Sequence, residues 1–158
     1  MTVPTVVIEM FEASRSLTAG AKIIMDSEGI RDRGAAKTPT LPVIVSSALA
    51  IEIGLKALLT LEGTPFSRRG GGHSLTALFE SLSAATQEEL LSFQAQYTGR
   101  KPAEAKLQLN HEALTFVRWR YAYEHRYLAT SPAFLHDFAV ALSELLRSRI
   151  EDAAKSSA

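Results

Sequence analysis

The chain has no cysteine. It therefore forms no disulfide, offers no thiolate nucleophile and supplies no cysteine ligand to zinc, and this absence is compatible with a reducing cytosol. The sequence also lacks a Gly-x-Ser-x-Gly elbow, a Rossmann glycine fingerprint and a P-loop, which mark common classes of hydrolases and nucleotide-binding enzymes. His111 and His136 have no carboxylate or histidine at metal-ligand spacing. We therefore expect neither a bound metal nor a cofactor.

An excess of charge is missing as well. Seventeen basic and seventeen acidic side chains cancel, so the protein is not a broadly basic nucleic-acid coat, and any anion site must be a local concentration of charge. A length of 158 residues with 46% hydrophobic content fits one domain, covering 1–158 with a frayed tail at about 153–158. The composition thus predicts a single sizeable core.

Targeting and membrane signals are also lacking. The short apolar run from Val3 to Ile8 has no basic leader and is followed by Glu9 and Glu12, so it does not resemble a signal peptide. No segment combines the length and the low charge that a membrane span needs. These features predict a soluble, cytoplasmic protein without a membrane partner.

Apolar residues recur mostly at helical spacing, and no convincing strand or hairpin signal is present. The β-branched residues of the 41–62 segment leave a strand as the alternative there, although its length favours a buried helix. A fourth long helix is predicted to begin near Ala103 and to place Leu107, Leu114 and Val117 on one apolar stripe.

The prediction is an all-α, single-domain, up-and-down bundle of about five helices. The predicted helical segments, some of them short, cover 5–28, 41–62, 74–83, 86–96, from 103 into the 116–126 segment, and 133–152. Ser74 or His73 is predicted to cap the third of these segments, and Ser131, before Pro132, to cap the last one. The last helix is predicted to present an apolar stripe to the core, formed by Phe134, Phe138, Leu142, Leu145 and Leu146.

The 116–126 segment concentrates the residues that suit RNA or nucleotide chemistry. Arginine binds phosphate through a fork of donors, histidine transfers protons near neutral pH, and aromatic rings stack on bases. The alternative is that the arginines only solvate a helix end. The candidate residues are Arg118, Arg120 and His125 for catalysis, and Trp119, Tyr121, Tyr123 and Arg126 for nucleic-acid binding.

Helical spacing separates the two candidate arginines. In a continuous helix Arg118 shares a face with His125, whereas Arg120 lies about 140° away from it. Arg120 precedes Glu124 by four residues, the spacing of an ordinary surface ion pair. The spacing therefore favours Arg118 as the partner of His125, unless the helix breaks between them.

Glu52 lies on an apolar stripe of its helix and needs a partner there. Lys56, one turn later, can reach it locally, and Arg118 or Arg120 can reach it across a helix contact. We favour a structural role for the pairing of Glu52 over a role in a chemical reaction. His73 follows the glycine-rich basic stretch 68–72, and a helix cap after a flexible connection is favoured there over a phosphate site.

Three segments together resemble the HEPN superfamily: Ser47 to Leu59 with its Glu52-x-x-x-Lys56-Ala-Leu pattern, then Gly72-His73-Ser74-Leu75, and then Arg118 to His125. Members of that superfamily are small helical bundles, typically homodimers, with an arginine followed after four to six residues by a histidine. Arg118, with six intervening residues, and Arg120, with four, both satisfy that spacing.

The resemblance implies a metal-independent endoribonuclease whose Arg/His site lies at a dimer cleft, with Glu52, Lys56, His73 and Glu124 as structural or orienting residues. Catalytic members usually carry a polar residue after the arginine, whereas here Trp119 or Tyr121 follows. Members with an incomplete motif are non-catalytic binding or partner modules, often beside a nucleotidyltransferase. An antitoxin-type partner is also implied.

Three hypotheses follow from the 116–126 segment. The first is RNA cleavage, the second is binding of a nucleotide, RNA or protein without cleavage, and the third is a dimer interface anchored by the aromatic residues.

Overall fold

A computed structural model describes residues 3–28, 40–66, 72–120 and 130–155, without the side chains of Glu28, Thr40 and Arg120. Within these ranges all regular secondary structure is helical, which confirms the all-α bundle and rules out the strand alternative for the 41–62 segment. The helices are α1 (Thr5–Glu28), α2 (Thr40–Leu61), α3 (Leu75–Glu80), α4 (Ala84–Thr98), α5 (Pro102–His111), α6 (Thr115–Arg120) and α7 (Pro132–Lys155).

The apolar core is built around α2, which packs against α1, α3, α6 and α7. One cluster of buried side chains draws from every described helix except α6, whose Trp119 packs against its edge. The rings of Phe79 and Phe134 both pack against Phe138, at centroid distances of 6.4 and 5.7 Å. The predicted core stripe of the last helix is confirmed: Phe134, Phe138, Leu142, Leu145 and Leu146 are all buried.

A glycine permits three helices to pack closely in the bundle core. A Cβ atom at Gly54 of α2 would lie 2.6 Å from Cδ2 of Leu142 on α7 and 3.3 Å from Oγ of Ser14 on α1. The Ser14 hydroxyl also donates to the carbonyl of Ala50, at 2.9 Å. Helices α1, α2 and α7 thus meet at a position where any side chain would require Leu142 or a helix to shift.

The α2 helix is long and apolar enough to cross a membrane by length and composition, over Leu41–Leu61. This differs from the expectation that no segment meets those limits. About 67% of this apolar stretch is buried inside the bundle, and the helix carries the charged residues Glu52 and Lys56. Burial of this kind is typical of the core helix of a soluble protein.

Two predicted helix starts are confirmed. The Ser74 hydroxyl accepts a hydrogen bond from the N–H of Ala77 at the start of α3, and the Ser131 hydroxyl accepts one from the N–H of Phe134 at the start of α7. Helix α3 ends at Glu80, before the predicted end at Ser83, because Ser83 is itself the N-cap of α4.

The predicted long helix from Ala103 into the aromatic segment is wrong, because α5 ends at His111 and α6 starts at Thr115. Two contacts fix the break. The carboxylate of Glu112 accepts a hydrogen bond from the Thr115 hydroxyl at 2.6 Å, and the carbonyl of Ala113 accepts one from the N–H of Leu75 at 2.8 Å. The predicted apolar stripe is also wrong, since Leu107 and Leu114 are exposed; Ala105 and Leu109 are the buried side chains of α5.

Glu62, just after α2, ties that helix to the start of α4. Its carboxylate accepts hydrogen bonds from the N–H and hydroxyl of Ser83, at 3.0 and 2.7 Å, and from the hydroxyl of Thr86 at 2.6 Å. Partial burial alone raises the pKa of Glu62, but these hydrogen bonds and the charge of Arg149 together hold the pKa below its usual value of 4.5.

Acid is expected to remove the contribution of Glu62 to stability. Because its pKa is lower in the folded than in the unfolded chain, the stabilisation is present at neutral pH and is lost as the pH falls below 4.5 through the folded pKa. The difference in urea-unfolding free energy between the wild type and Glu62→Gln should shrink between about pH 7 and about pH 3. Glu88→Gln, exposed on α4, is the matched control. A difference that grows towards acid would contradict the assignment.

Candidate functional site

Glu52, Lys56 and His73 form one connected group, which we call the Glu52 cluster. The Nζ atom of Lys56 lies 2.6 Å from Oε1 of Glu52, and Nδ1 of His73 lies 3.0 Å from each carboxylate oxygen. The Glu52 side chain is 5% exposed, so its carboxylate is buried. Because one carboxylate bridges a lysine and a histidine, the cluster is a charged hydrogen-bond network.

The contact with Glu52 sets the tautomer of His73. A carboxylate only accepts hydrogen bonds, so Nδ1 of His73 must donate, and in the neutral ring the lone pair then lies on Nε2. Half of the His73 side chain, 53%, is exposed. The ring is thus fixed at one nitrogen by a buried carboxylate while much of it remains open to solvent.

Two phenylalanines flank the cluster. The Nζ atom of Lys56 lies 5.8 Å from the ring centroid of Phe66, and the rings of His73 and Phe116 are 6.1 Å apart. Phe116 belongs to α6, which packs against α2. The start of the 116–126 segment therefore lies directly beside the Glu52 cluster.

Arg118 of α6 is exposed and forms no ion pair with any residue in the described ranges. It therefore does not occupy the place beside Glu52 that the sequence left open to it; Lys56 and His73 do. Position 120 follows Phe116 by one helical turn, so its backbone lies on the side of α6 that meets His73. Position 118, about 200° round the helix from Phe116, does not.

The predicted aromatic platform is described only at its first residue. Trp119 is partly buried and packs against the core, so only part of its ring is open for stacking. The other predicted site residues lie outside the described ranges: Tyr121, Tyr123, Glu124, His125 and Arg126. The predicted pairing of Arg118 or Arg120 with His125, and that of Arg120 with Glu124, therefore stay predictions.

Sequence reasoning found the Glu52–Lys56 pair but missed the contact with His73. The pair is one helical turn apart, a spacing visible in the sequence, whereas His73 lies 21 residues from Glu52. The one available signal was the polar cap position of His73 just before a helix. It pointed to capping, a role that the structure gives to Ser74.

A second buried carboxylate, Glu112, was also missed. It accepts hydrogen bonds from the Gln108 amide at 3.1 Å, the Ser131 N–H at 2.9 Å and the hydroxyls of Thr115 and Thr130. All four donors are uncharged, and Glu112 is 1% exposed. The site joins the start of α6 to the start of α7.

A groove of about 550 Å³ lies between the start of α1, the end of α2 and the end of α7. Its walls are mainly apolar, and its polar or charged lining side chains are Thr60, Glu62, Thr86 and Arg149. No residue of the Glu52 cluster lines it, so the groove is separate from that cluster.

Metal ligands do not cluster in the part of the chain that the structure describes, where no group of three or more histidine, aspartate or glutamate side chains is arranged to hold an ion. The chemistry available at the Glu52 cluster is proton transfer at His73 and binding of anions by basic side chains.

The comparisons with known proteins found no match for this chain. No family model, no curated protein and no solved structure matches it.

Proposed function

We propose that the protein is a HEPN-like, cytoplasmic, homodimeric RNA-interacting domain that cleaves RNA without a metal. Arg118, Arg120 and His125 are its catalytic residues, and the two copies of the motif line one cleft. Tyr121, Tyr123, Arg126 and the open part of Trp119 contact the RNA.

The observation that carries the proposal is the position of α6. This helix presents Arg118 to solvent without an acidic partner among the described residues, and its Phe116 contacts His73 of the Glu52 cluster. An exposed, uncompensated arginine is free to bind a phosphate, which it holds through a planar fork of N–H donors. Arg118 is thus available to a phosphate on the open side of α6, and the backbone of position 120 lies on the side of that helix that meets His73.

The chemistry follows from RNA itself. The ribose 2′-oxygen attacks the adjacent phosphorus, the bond from phosphorus to the 5′-oxygen breaks, and the products are a cyclic phosphate and a 5′-hydroxyl. His125 transfers a proton in this step, and Arg118 or Arg120 stabilises the charge that develops on the phosphoryl oxygens. Because a 2′-hydroxyl is required, DNA is not a substrate.

We expect the purified protein to cleave a labelled mixed-sequence RNA in EDTA. Alanine at His125 and at one of the two arginines, Arg118 or Arg120, should lower the rate by about 100-fold or more. The second arginine variant then identifies the arginine that is not required. Product ends are read by gel mobility before and after phosphatase treatment.

Two control variants separate the site from general effects of charge. Arg147→Ala removes an exposed arginine of α7 that pairs with Glu144 and Glu151, and His111→Ala removes an exposed histidine of α5. Both should cleave like the wild type. RNA that stays intact with every protein would overturn the nuclease proposal. Cleavage that survives in all the site variants would point to a contaminant.

A second candidate function, a non-catalytic binding or partner module, is favoured by one specific observation. The residue after Arg118 is Trp119, a large aromatic residue that packs against the core and does not supply the small polar side chain of catalytic members. In this version the same cluster holds RNA, a nucleotidyltransferase or an antitoxin-type partner. RNA binding by fluorescence anisotropy, retained in His125→Ala with no cleavage by either protein, would support it. Trp119→Ala that yields monomers by sedimentation with unchanged RNA affinity would instead assign the segment to a dimer interface.

A further inference from the structure

We propose that His73 is a second proton-transfer group of this site, with Glu52 and Lys56 as its positioning residues. The inference rests on the proposed RNA cleavage. It adds a catalytic residue that lies on the loop before α3, outside the 116–126 segment.

The first support is the geometry of the Glu52–His73 pair. Both carboxylate oxygens of Glu52 lie 3.0 Å from Nδ1 of His73, so the carboxylate holds the ring in one tautomer and one orientation. The same arrangement of a buried carboxylate behind a histidine serves proton transfer in catalytic triads, where the carboxylate stabilises the imidazolium that forms. The Nε2 atom is then the nitrogen left for a substrate.

The second support is Lys56. Its Nζ atom lies 2.6 Å from Oε1 of Glu52, and its side chain is only 18% exposed. A partly buried ammonium at this distance is the counter-charge that a buried carboxylate needs. Lys56 thus keeps Glu52 able to accept the hydrogen bond from His73.

The third support is that the contact does little for folding. His73 is half exposed, and ion pairs or hydrogen bonds at exposed side chains contribute little to stability. Glu52 already has a closer partner in Lys56, so its burial does not require a histidine. A purely structural role therefore leaves the exposed ring of His73 unexplained, whereas proton transfer requires it to be exposed.

In the reaction, neutral His73 accepts at Nε2 the proton of the 2′-hydroxyl while the 2′-oxygen forms its bond to phosphorus. The bond from phosphorus to the 5′-oxygen breaks, and the 5′-oxygen takes a proton from His125, the proton-transfer residue of the proposed function. The imidazolium of His73, stabilised by Glu52, afterwards returns its proton to solvent. One proton is accepted and one is donated, and no other reactant is needed.

The test compares His73→Asn, His73→Ala and Glu52→Gln with the wild type in the RNA assay. The asparagine amide nitrogen takes nearly the place of Nδ1 and can still donate to Glu52, but it cannot accept a proton. We expect His73→Asn to lower kcat by about 100-fold with RNA affinity and melting temperature unchanged. His73→Ala should fall equally and regain activity when imidazole is added. Glu52→Gln should also lower kcat. His111→Ala with imidazole is the matched control.

The outcomes separate the two proposals. Cleavage by His73→Asn at the wild-type rate, with His125→Ala inactive, would overturn the role of His73 and leave the proposed function standing. Loss of activity in His73→Ala that imidazole does not restore would overturn it as well, and a lowered melting temperature would assign His73 to structure. Intact RNA with the wild type would overturn both.

Discussion

Replacement of Glu112 by alanine is expected to lower the free energy of unfolding by about 3 kcal/mol or more, because hydrogen bonds to a charged group contribute about 1.5–3 kcal/mol each and are not additive. The substitution leaves the Thr115 and Thr130 hydroxyls, the Gln108 amide and the N–H of Ser131 without their acceptor. A buried donor without an acceptor is costly, and here Thr115 is buried and the other three donors are partly buried. Urea denaturation followed by circular dichroism measures the loss.

Two further variants are compared with Glu112→Ala in the same unfolding experiment. Glu112→Gln keeps the size of the side chain and one acceptor oxygen but points an NH₂ group at donors, so its loss should be intermediate. Glu104→Ala, on the exposed side of the same helix α5, should change the unfolding free energy by no more than about 0.5 kcal/mol. A Glu112→Ala variant as stable as Glu104→Ala would show that the network does not hold the α5–α6 break in place.

The second large effect concerns Lys56. Lys56→Met should lower the free energy of unfolding by about 3 kcal/mol, because it removes the nearest counter-charge of a buried carboxylate. The loss falls at the low end of the range for buried pairs because the Lys56 side chain is 18% exposed. Equilibrium unfolding in urea, at fixed neutral pH, measures it.

The double variant Glu52→Leu with Lys56→Met is the decisive comparison. An apolar pair of similar volume often replaces a buried ion pair at little or no cost, so the double variant should be more stable than Lys56→Met alone. The coupling energy from this cycle isolates the pair. Additive losses in the double variant would mean that Glu52 and Lys56 act on stability independently, and that the pair is not a unit.

The parts of the fold that the sequence predicted well depend on signals within one or two helical turns. Ser131, and either Ser74 or His73, were predicted as caps because a polar side chain just before an apolar run satisfies nearby N–H groups; Ser74 and Ser131 do so. The buried stripe of α7 follows from the 3.6-residue period alone. The Glu52–Lys56 pair is likewise one turn long.

The parts that the sequence did not predict depend on contacts between distant residues. The helix was expected to continue through position 112, since nothing local stops it; it stops where Glu112 binds Thr130 and Ser131, which are 18 and 19 residues away. The pairing of His73 with Glu52 spans 21 residues. No periodicity of a single segment contains such information, because it arises from how the helices pack.

The candidate site divides in the same way. The 116–126 segment was selected on composition, and the structure adds that its first turn lies beside the Glu52 cluster through Phe116. Arg118 is confirmed as a helical residue exposed to solvent. The role of His125, the HEPN relationship and the homodimer stay predictions for the RNA and sedimentation experiments.

Close packing at Gly54, on one side of α2, affects the opposite side of the helix, which carries Glu52 and Lys56. Residues 52 and 56 lie one turn apart on one side of the helix, and residue 54 lies about 200° from each of them. The missing side chain lets α2 rest directly on Leu142 and Ser14. An alanine at position 54 would have to displace Leu142 or move α2 toward the loop of His73 and toward α6. The position of the Glu52 cluster therefore depends on the residues packed behind α2 as well as on its own contacts.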